Sequence, residues 1–158
     1  MPRRTQGLVT DGPYGGPGGS AYDARDNGVK VRDIQTWTAN YNSYNVLGAI
    51  EFTFADNQPS GRIGGKDPNV GYNPDQPFSF EDGETIENMT FYAGDNQGYC
   101  NGFEFDTNYG NHFEGGTKIG MPSTVDQLGN GELAGASGRD NSHGADAVVD
   151  SMILYFND

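Results

Sequence analysis

Alternation is the dominant pattern along this chain. In "AIEFTFAD", Ile50, Phe52 and Phe54 alternate with Glu51 and Thr53, and in "NGFEFDTN", Phe103 and Phe105 alternate with Glu104 and Asp106. A period of two places each apolar set on one face of an extended strand, with the polar set facing solvent. The last segment, "DSMILYFND", puts Met152, Leu154 and Phe156 on one face and Ile153 and Tyr155 on the other, which predicts a strand covered on both sides. No window places apolar residues at i, i+3, i+4 and i+7 over three turns, and glycine interrupts nearly every helical candidate. The pattern predicts an all-β chain.

The three strands also repeat. Ile50-Phe52-Phe54 recurs as Phe103-Phe105-Thr107 and as Met152-Leu154-Phe156, 53 and then 49 residues further on. Each copy ends in acid or amide: Asp56-Asn57, Asn108, and Asn157-Asp158. Each is preceded by a second extended segment, "VKVRDIQTWTA", "ETIENMTFYAG" and "GELAGASGR", as antiparallel neighbours require. A glycine pair accompanies every copy, at Gly18-Gly19, Gly64-Gly65 and Gly115-Gly116. Self-similarity at about 50 residues marks a supersecondary unit whose copies bury their apolar faces together, here as three sheets about a pseudo-threefold axis.

Composition narrows the function. At 158 residues the chain is expected to form a single domain spanning 1–158, with residues 1–5 a loose extension. Nine Phe, nine Tyr and one Trp supply large side chains for a sheet core despite 25 glycines. The formal charge of −13 repels phosphate backbones and anionic lipid, so neither nucleic acid nor a membrane is an expected partner. Cys100 stands alone, which excludes an intramolecular disulfide and a multi-thiolate metal site and leaves it as a small buried hydrophobe. There is no run of ~18 apolar residues, and the two arginines of "MPRRTQGLV" precede no apolar stretch, so no export signal is expected.

Catalytic signals are sparse. Ser137 in "GASGR" lacks the G-x-S-x-G of a nucleophile elbow and the helix that must follow it. His112 and His143 are too few for a zinc set, and no local motif pairs two carboxylates for glycoside hydrolysis. In "RDNSHGAD" the oxygens of Asp140, Asn141, Ser142 and Asp146 suit Ca2+ in type, but the EF-hand spacing and its terminal glutamate are missing. No enzyme, metal or cofactor is expected. "NMT" at Asn88 is a lone glycosylation sequon inside a predicted strand.

"GPYGGPGGSAYD" near the start, "LGAIEFTFADN" with "GRIGG", "ETIENMTFYAG" with "NGFEFDTNYGNHFEGGTKIG", and "LAGASGR" with "VVDSMILYF" occur in this order over nearly the whole chain. Together they resemble the jacalin-related lectins. The resemblance implies the β-prism I fold, three four-stranded Greek-key sheets with pseudo-threefold symmetry, and sugar binding without chemistry. It also implies a site built from the glycine-rich loop and a "G-x-x-x-D" loop before the last strand, of mannose- and glucose-type rather than galactose-type preference.

Carried over by position, the implied site residues are Gly18, Gly19, Asp146, Ala147, Val148 and Asp150. A glycine backbone approaches a pyranose closely where a Cβ would obstruct it, and an ionised carboxylate accepts two hydroxyls at once. Ala147 and Val148 fall where the family turns backbone N–H groups to the sugar. One departure stands out: Asp146 replaces the family glycine, and "RDNSHGAD" lengthens the loop. Tyr14, Tyr22 and His143 are expected at the rim, and Trp37 in sheet packing rather than on a sugar. In the other two units the position of Asp150 becomes Gly48 and Asn101. Gly48 has no acceptor, whereas Asn101 with Gly115 and Gly116 is a second, weaker candidate. Oligosaccharides and glycoconjugates are the implied partners, bound with avidity by a homo-oligomer. A β-prism without sugar binding is the alternative, and a glycan-processing enzyme a more remote one.

Overall fold

The structure, a computed structural model, describes residues 7–15, 19–41, 43–93, 99–140 and 148–158. These residues contain strands and no helix, in the order β1 (Leu8–Gly15), β2 (Ala21–Arg25), β3 (Val31–Tyr41), β4 (Tyr44–Phe54), β5 (Ile63–Gly64), β6 (Tyr72–Pro74), β7 (Phe78–Ser79), β8 (Ile86–Ala93), β9 (Cys100–Thr107), β10 (His112–Gly116), β11 (Met121–Thr124), β12 (Leu133–Arg139) and β13 (Ser151–Asn157). The expected extension at 1–5 lies outside the described residues. No helix among the described residues is long and apolar enough to cross a membrane.

Three antiparallel sheets form a β-prism. Sheet I runs β1-β13-β12-β2, sheet II runs β5-β4-β3-β6 with β7 also on β3, and sheet III runs β10-β9-β8-β11. In sheet III the fourth strand in sequence returns beside the first, which is the Greek key. Sheet I has the same order once the chain ends are taken together: β12 and β13 lie between the two N-terminal strands. The three hairpins expected from the sequence, β3–β4, β8–β9 and β12–β13, are all present.

Sheet II departs from the expected four strands. Its outer position is divided between β6, on Trp37 to Ala39, and β7, on Asp33 and Ile34. Between them Asp75 turns its side chain inward, where its carboxylate accepts Thr36 Oγ1 at 2.8 Å, Thr38 Oγ1 at 2.9 Å and the Gly116 N–H at 3.0 Å. The carboxylate serves two sheets while the Asp75 N–H still donates to Thr36 O at 2.9 Å, and beyond it Pro77 has no N–H with which to extend the ladder.

The repeat is visible in three dimensions. Ile50, Phe52 and Phe54 from sheet II, Phe103 and Phe105 from sheet III, and Met152, Leu154 and Phe156 from sheet I enter one core. Phe105 anchors its aromatic part, with ring centroids 5.2 Å from Phe78, 5.6 Å from Phe80 and 5.4 Å from Phe113. On β13 the outer face is only half-buried at Ile153 and Tyr155. The Arg25 guanidinium lies 4.5 Å over the Tyr155 ring. At one end of the prism the equivalent residues Leu47, Cys100 and Val149 bond backbone to backbone: Val149 N–H donates to Leu47 O at 3.3 Å and Cys100 N–H to Val149 O at 3.0 Å. Their neighbours Val46, Tyr99 and Val148, also one from each unit, form a second small core.

This register corrects one expectation. Gly64 pairs with Ala49, Gly116 with Gly102 and Gly15 with Ser151, again in steps of 53 and 49 along the inner strands. The counterpart of Gly64 and Gly116 is therefore Gly15, not the Gly18-Gly19 pair. The first loop holds two glycine pairs, and connections of unequal length allow either to match when strand pairing is not known.

Thr107 occupies the place that Phe54 and Phe156 hold in the other units, and polarity enters the interior there. Glu84, 4% exposed, accepts Thr107 Oγ1 at 2.6 Å, Asn111 Nδ2 at 2.7 Å and the Glu81 N–H at 2.9 Å. Burial works to raise its pKa, but these donors outweigh it and leave the carboxyl below its ordinary 4.5. A lowered native pKa means stability that is present above the unfolded value near 4.5 and lost as pH falls through the native one. Glu84→Gln should therefore cost about 1–3 kcal/mol at neutral pH. The difference from wild type should shrink as the pH is lowered, read by denaturant melts at several pH values; a gap independent of pH would refute the assignment.

Candidate functional site

The glycine-rich loop, the end of β12 and the start of β13 meet at one corner of sheet I. Arg139 joins them: its Nη1 donates to Gly19 O at 2.7 Å, and its own carbonyl accepts the Asp150 N–H at 2.8 Å. Asp140 N–H donates to Ser20 O at 3.1 Å, a second tie between loop and strand end. Gly19 has φ +87°, which favours glycine. Val148, on the approach to β13, is buried against Val46 and Tyr99. Gly19 and Asp150 are thus linked through Arg139, and Val148 lies two residues before Asp150, while Gly18, His143, Asp146 and Ala147 lie outside the described residues.

The Asp150 carboxylate is enclosed, at 0% exposure. Its charge reaches several neighbours. Burial first, then the charges of Cys100, Asp140 and Asp150, push the Tyr22 hydroxyl above its ordinary 10. The Cys100 thiol is pushed up by burial and by Asp150. Cys100 is the buried small side chain expected, its Sγ donating to Tyr14 O at 3.2 Å.

Tyr14 and Tyr22, expected at the rim, are both half-buried. Tyr14 stacks on Phe91 at 4.8 Å and 11°, with its hydroxyl on Asp11. Tyr22 donates to Ser151 O at 2.9 Å. Both pack against the main core, Tyr22 through the alternation of β2 and Tyr14 through the register shift of β1 between Asp11 and Tyr14, and Tyr22 also borders the trough described below. Trp37 is in sheet packing as expected, half-buried with the Arg62 guanidinium 4.2 Å above its ring.

The second corner is committed internally. Asn101 is 7% exposed and donates its Nδ2–H to Ile119 O at 2.5 Å, and its carbonyl accepts the Thr117 N–H at 2.8 Å. A Cβ at Gly116 would press on that same carbonyl at 2.5 Å, so Gly116 serves close backbone packing. Gly115 pairs with Phe103 beside it.

Asp140 accepts the Gly64 N–H at 3.2 Å through Oδ2, tying sheet I to sheet II; the other oxygens weighed for Ca2+, on Asn141, Ser142 and Asp146, are outside the described residues. Among the described residues one group has metal-ligand atoms within 4.8 Å of one another: Glu104, His112 and Glu114. It forms because Glu104 faces Glu114 and Asp106 faces His112 across β9–β10, a juxtaposition that depends on register. His112 already bridges Asp106 at 2.7 Å and Glu114 at 2.8 Å, and those two hydrogen bonds raise its pKa.

An open trough of about 740 Å³ lies beside the corner, on the outer face of sheet I, lined by Tyr22, Arg25, Ser137, Gly138, Arg139 and Ile153 among others. Ser137 is hydrogen-bonded to the Tyr155 hydroxyl at 2.8 Å within this face, on a strand and not at a strand-to-helix turn.

The jacalin-like lectin domain profile matches residues 11–148. The chain belongs to the jacalin-like lectin domain family. A search of curated protein sequences returns no match. Solved structures with the same fold include a mannose-specific jacalin-related lectin from Morus nigra in complex with mannose, with TM-score 0.69, 22% identity, and 99% of each chain covered. A mannose-binding jacalin-related lectin from Ananas comosus has TM-score 0.68 and 22% identity, over 94% of this chain and 96% of that one. The lamprey immune protein has TM-score 0.71 and 20% identity over 97% of this chain, which spans only 44% of the lamprey chain. As a jacalin-like domain the chain carries support for carbohydrate binding as its activity.

Proposed function

We propose that this jacalin-like domain is a non-catalytic lectin that holds a mannose- or glucose-type sugar where Gly19, Val148 and Asp150 meet. The observation that carries the reading is the hydrogen-bonded path from Gly19 through Arg139 to Asp150, which holds the glycine loop and the acidic strand start in one frame. In this reading Asp150 accepts two adjacent hydroxyls, Gly19 allows close approach, and the N–H groups of Ala147 and Val148 donate to the sugar. Gly18 and Asp146 complete the proposed binding set, and His143 belongs to its rim. Charge-assisted hydrogen bonds to an enclosed carboxylate are stronger than the same bonds in water, so few contacts suffice for selectivity. The lectin domain spans 1–158, and a homo-oligomer displaying several weak sites supplies avidity, its copy number readable by native mass spectrometry.

A second reading, a β-prism that binds no sugar, is favoured by one observation: the complete enclosure of Asp150, which a sugar hydroxyl must reach. A glycan array separates the two. The lectin reading expects mannose- and glucose-terminated glycans to be retained with galactose-terminated ones passing through, and no glycan is cleaved. An array blank for well-folded protein assigns the structural reading.

A further inference from the structure

Beside the proposed site the β3–β4 hairpin end carries an aromatic wall. Tyr41 and Tyr44 are cross-strand partners, and Ser43 between them takes a left-handed φ of +68°, as tight hairpin connections require. The Tyr44 side chain is 43% exposed, whereas Tyr99 behind it is 5% exposed. Tyr44 lies 6.4 Å from the Tyr99 ring at 57°, and Tyr41 meets Tyr99 edge-on at 5.6 Å and 80°. Tyr99 in turn packs with Val46 and Val148, so the wall rests on a residue of the proposed site.

Two further observations describe its surroundings. Burial and Tyr99 raise the Tyr41 hydroxyl's pKa, and the charges of Asp67 and Asp150 add to the rise. The hairpin is also held from the far side, with Thr117 Oγ1 donating to Asn45 O at 3.1 Å. Tyr44 is therefore an exposed ring on a braced support.

We propose that Tyr44, backed by Tyr41 and Tyr99, is the stacking platform for a second pyranose of an oligosaccharide whose first residue sits at Asp150. This inference rests on the lectin reading. An aromatic face packs well against the C–H face of a pyranose, and a tyrosine already held by neighbours loses little conformational freedom on doing so. The occupant is a neutral oligosaccharide, because a chain of formal charge −13 repels sialylated or sulfated ones.

The test is calorimetry of wild type, Tyr44→Ala, Tyr44→Phe and Asp150→Ala with mannose, glucose, mannotriose and maltotriose. Wild type should bind one trisaccharide about five- to tenfold more tightly than its monosaccharide, the size of effect expected from one aromatic contact. Tyr44→Ala should lose that gain while keeping monosaccharide affinity within about twofold, and Tyr44→Phe should retain it, since the ring and not the hydroxyl does the stacking. Tyr44 is partly exposed, so its truncation should leave the fold intact, and circular dichroism checks this. A Tyr44→Ala protein that binds the trisaccharide as wild type does, or a wild type with no trisaccharide gain, overturns the platform and leaves the Asp150 site standing. A folded wild type that binds none of the four sugars overturns both.

Discussion

Alanine in place of Asp150 should abolish sugar binding while the fold survives. In the proposed site this carboxylate accepts two hydroxyls, and hydrogen bonds to a charged group contribute about 1.5–3 kcal/mol each, so their joint loss weakens binding by at least ~100-fold. For a monosaccharide site of modest affinity that places the variant below detection by calorimetry. The backbone at residue 150 is held independently of its side chain by the N–H bond to Arg139 O, and Val149 is tied to Leu47 and Cys100 on either side. The melting temperature should therefore stay close to that of wild type. Asp150→Asn, which retains the shape and one acceptor oxygen, should fall between the two proteins. An alanine variant that binds as wild type does would place the sugar elsewhere.

The second large effect is on stability. Gly15→Ala should cost about 3 kcal/mol or more and lower the melting temperature by roughly 6–12 °C for a chain of this size. Gly15 has φ +103°, a conformation that side-chain-bearing residues rarely adopt, and an added Cβ would press on the Asp150 carbonyl oxygen and lie 3.0 Å from Ser151 Cα. Neither contact can be relieved by rotating a side chain, because both atoms are backbone of the β1–β13 ladder, where Gly15 pairs with Ser151. Gly71 supplies the control: a Cβ there meets nothing within 4 Å, and Gly71→Ala should change stability by less than about 0.5 kcal/mol. Thermal melts of the two variants side by side decide it, and equal melting temperatures would contradict the packing argument.

Much of the fold was legible because alternation reports burial directly. Ile50, Phe52 and Phe54 and their counterparts enter one core, and the 53- and 49-residue steps reappear as the contacts among Leu47, Cys100 and Val149. The failures share a different cause. Which glycine matches Gly64 depends on strand register, and the sequence offers two pairs in the first loop. The division of sheet II depends on Asp75 turning toward Thr36, Thr38 and Gly116, contacts made between segments far apart in the chain.

The site shows the same boundary between local and long-range information. Asp150 and Gly19 enter the proposed site through family resemblance, but Arg139, which donates to Gly19 O and accepts from the Asp150 N–H, sits in "GASGR" with no local mark of that link. Tyr14 and Tyr22 flank the glycine loop in sequence and both pack against the core, Tyr14 only because β1 shifts register before it, whereas Tyr44 comes from a different hairpin.

The measurement that tests the central claim most directly is titration of the 15N-labelled protein with mannose and with glucose, following backbone amide resonances. The account predicts saturable shifts for one of these sugars centred on Gly19, Val148 and Asp150, with the Asn101 and Gly116 amides unmoved. Shifts confined to the Asn101 corner, or none at millimolar concentrations of either sugar, would contradict it.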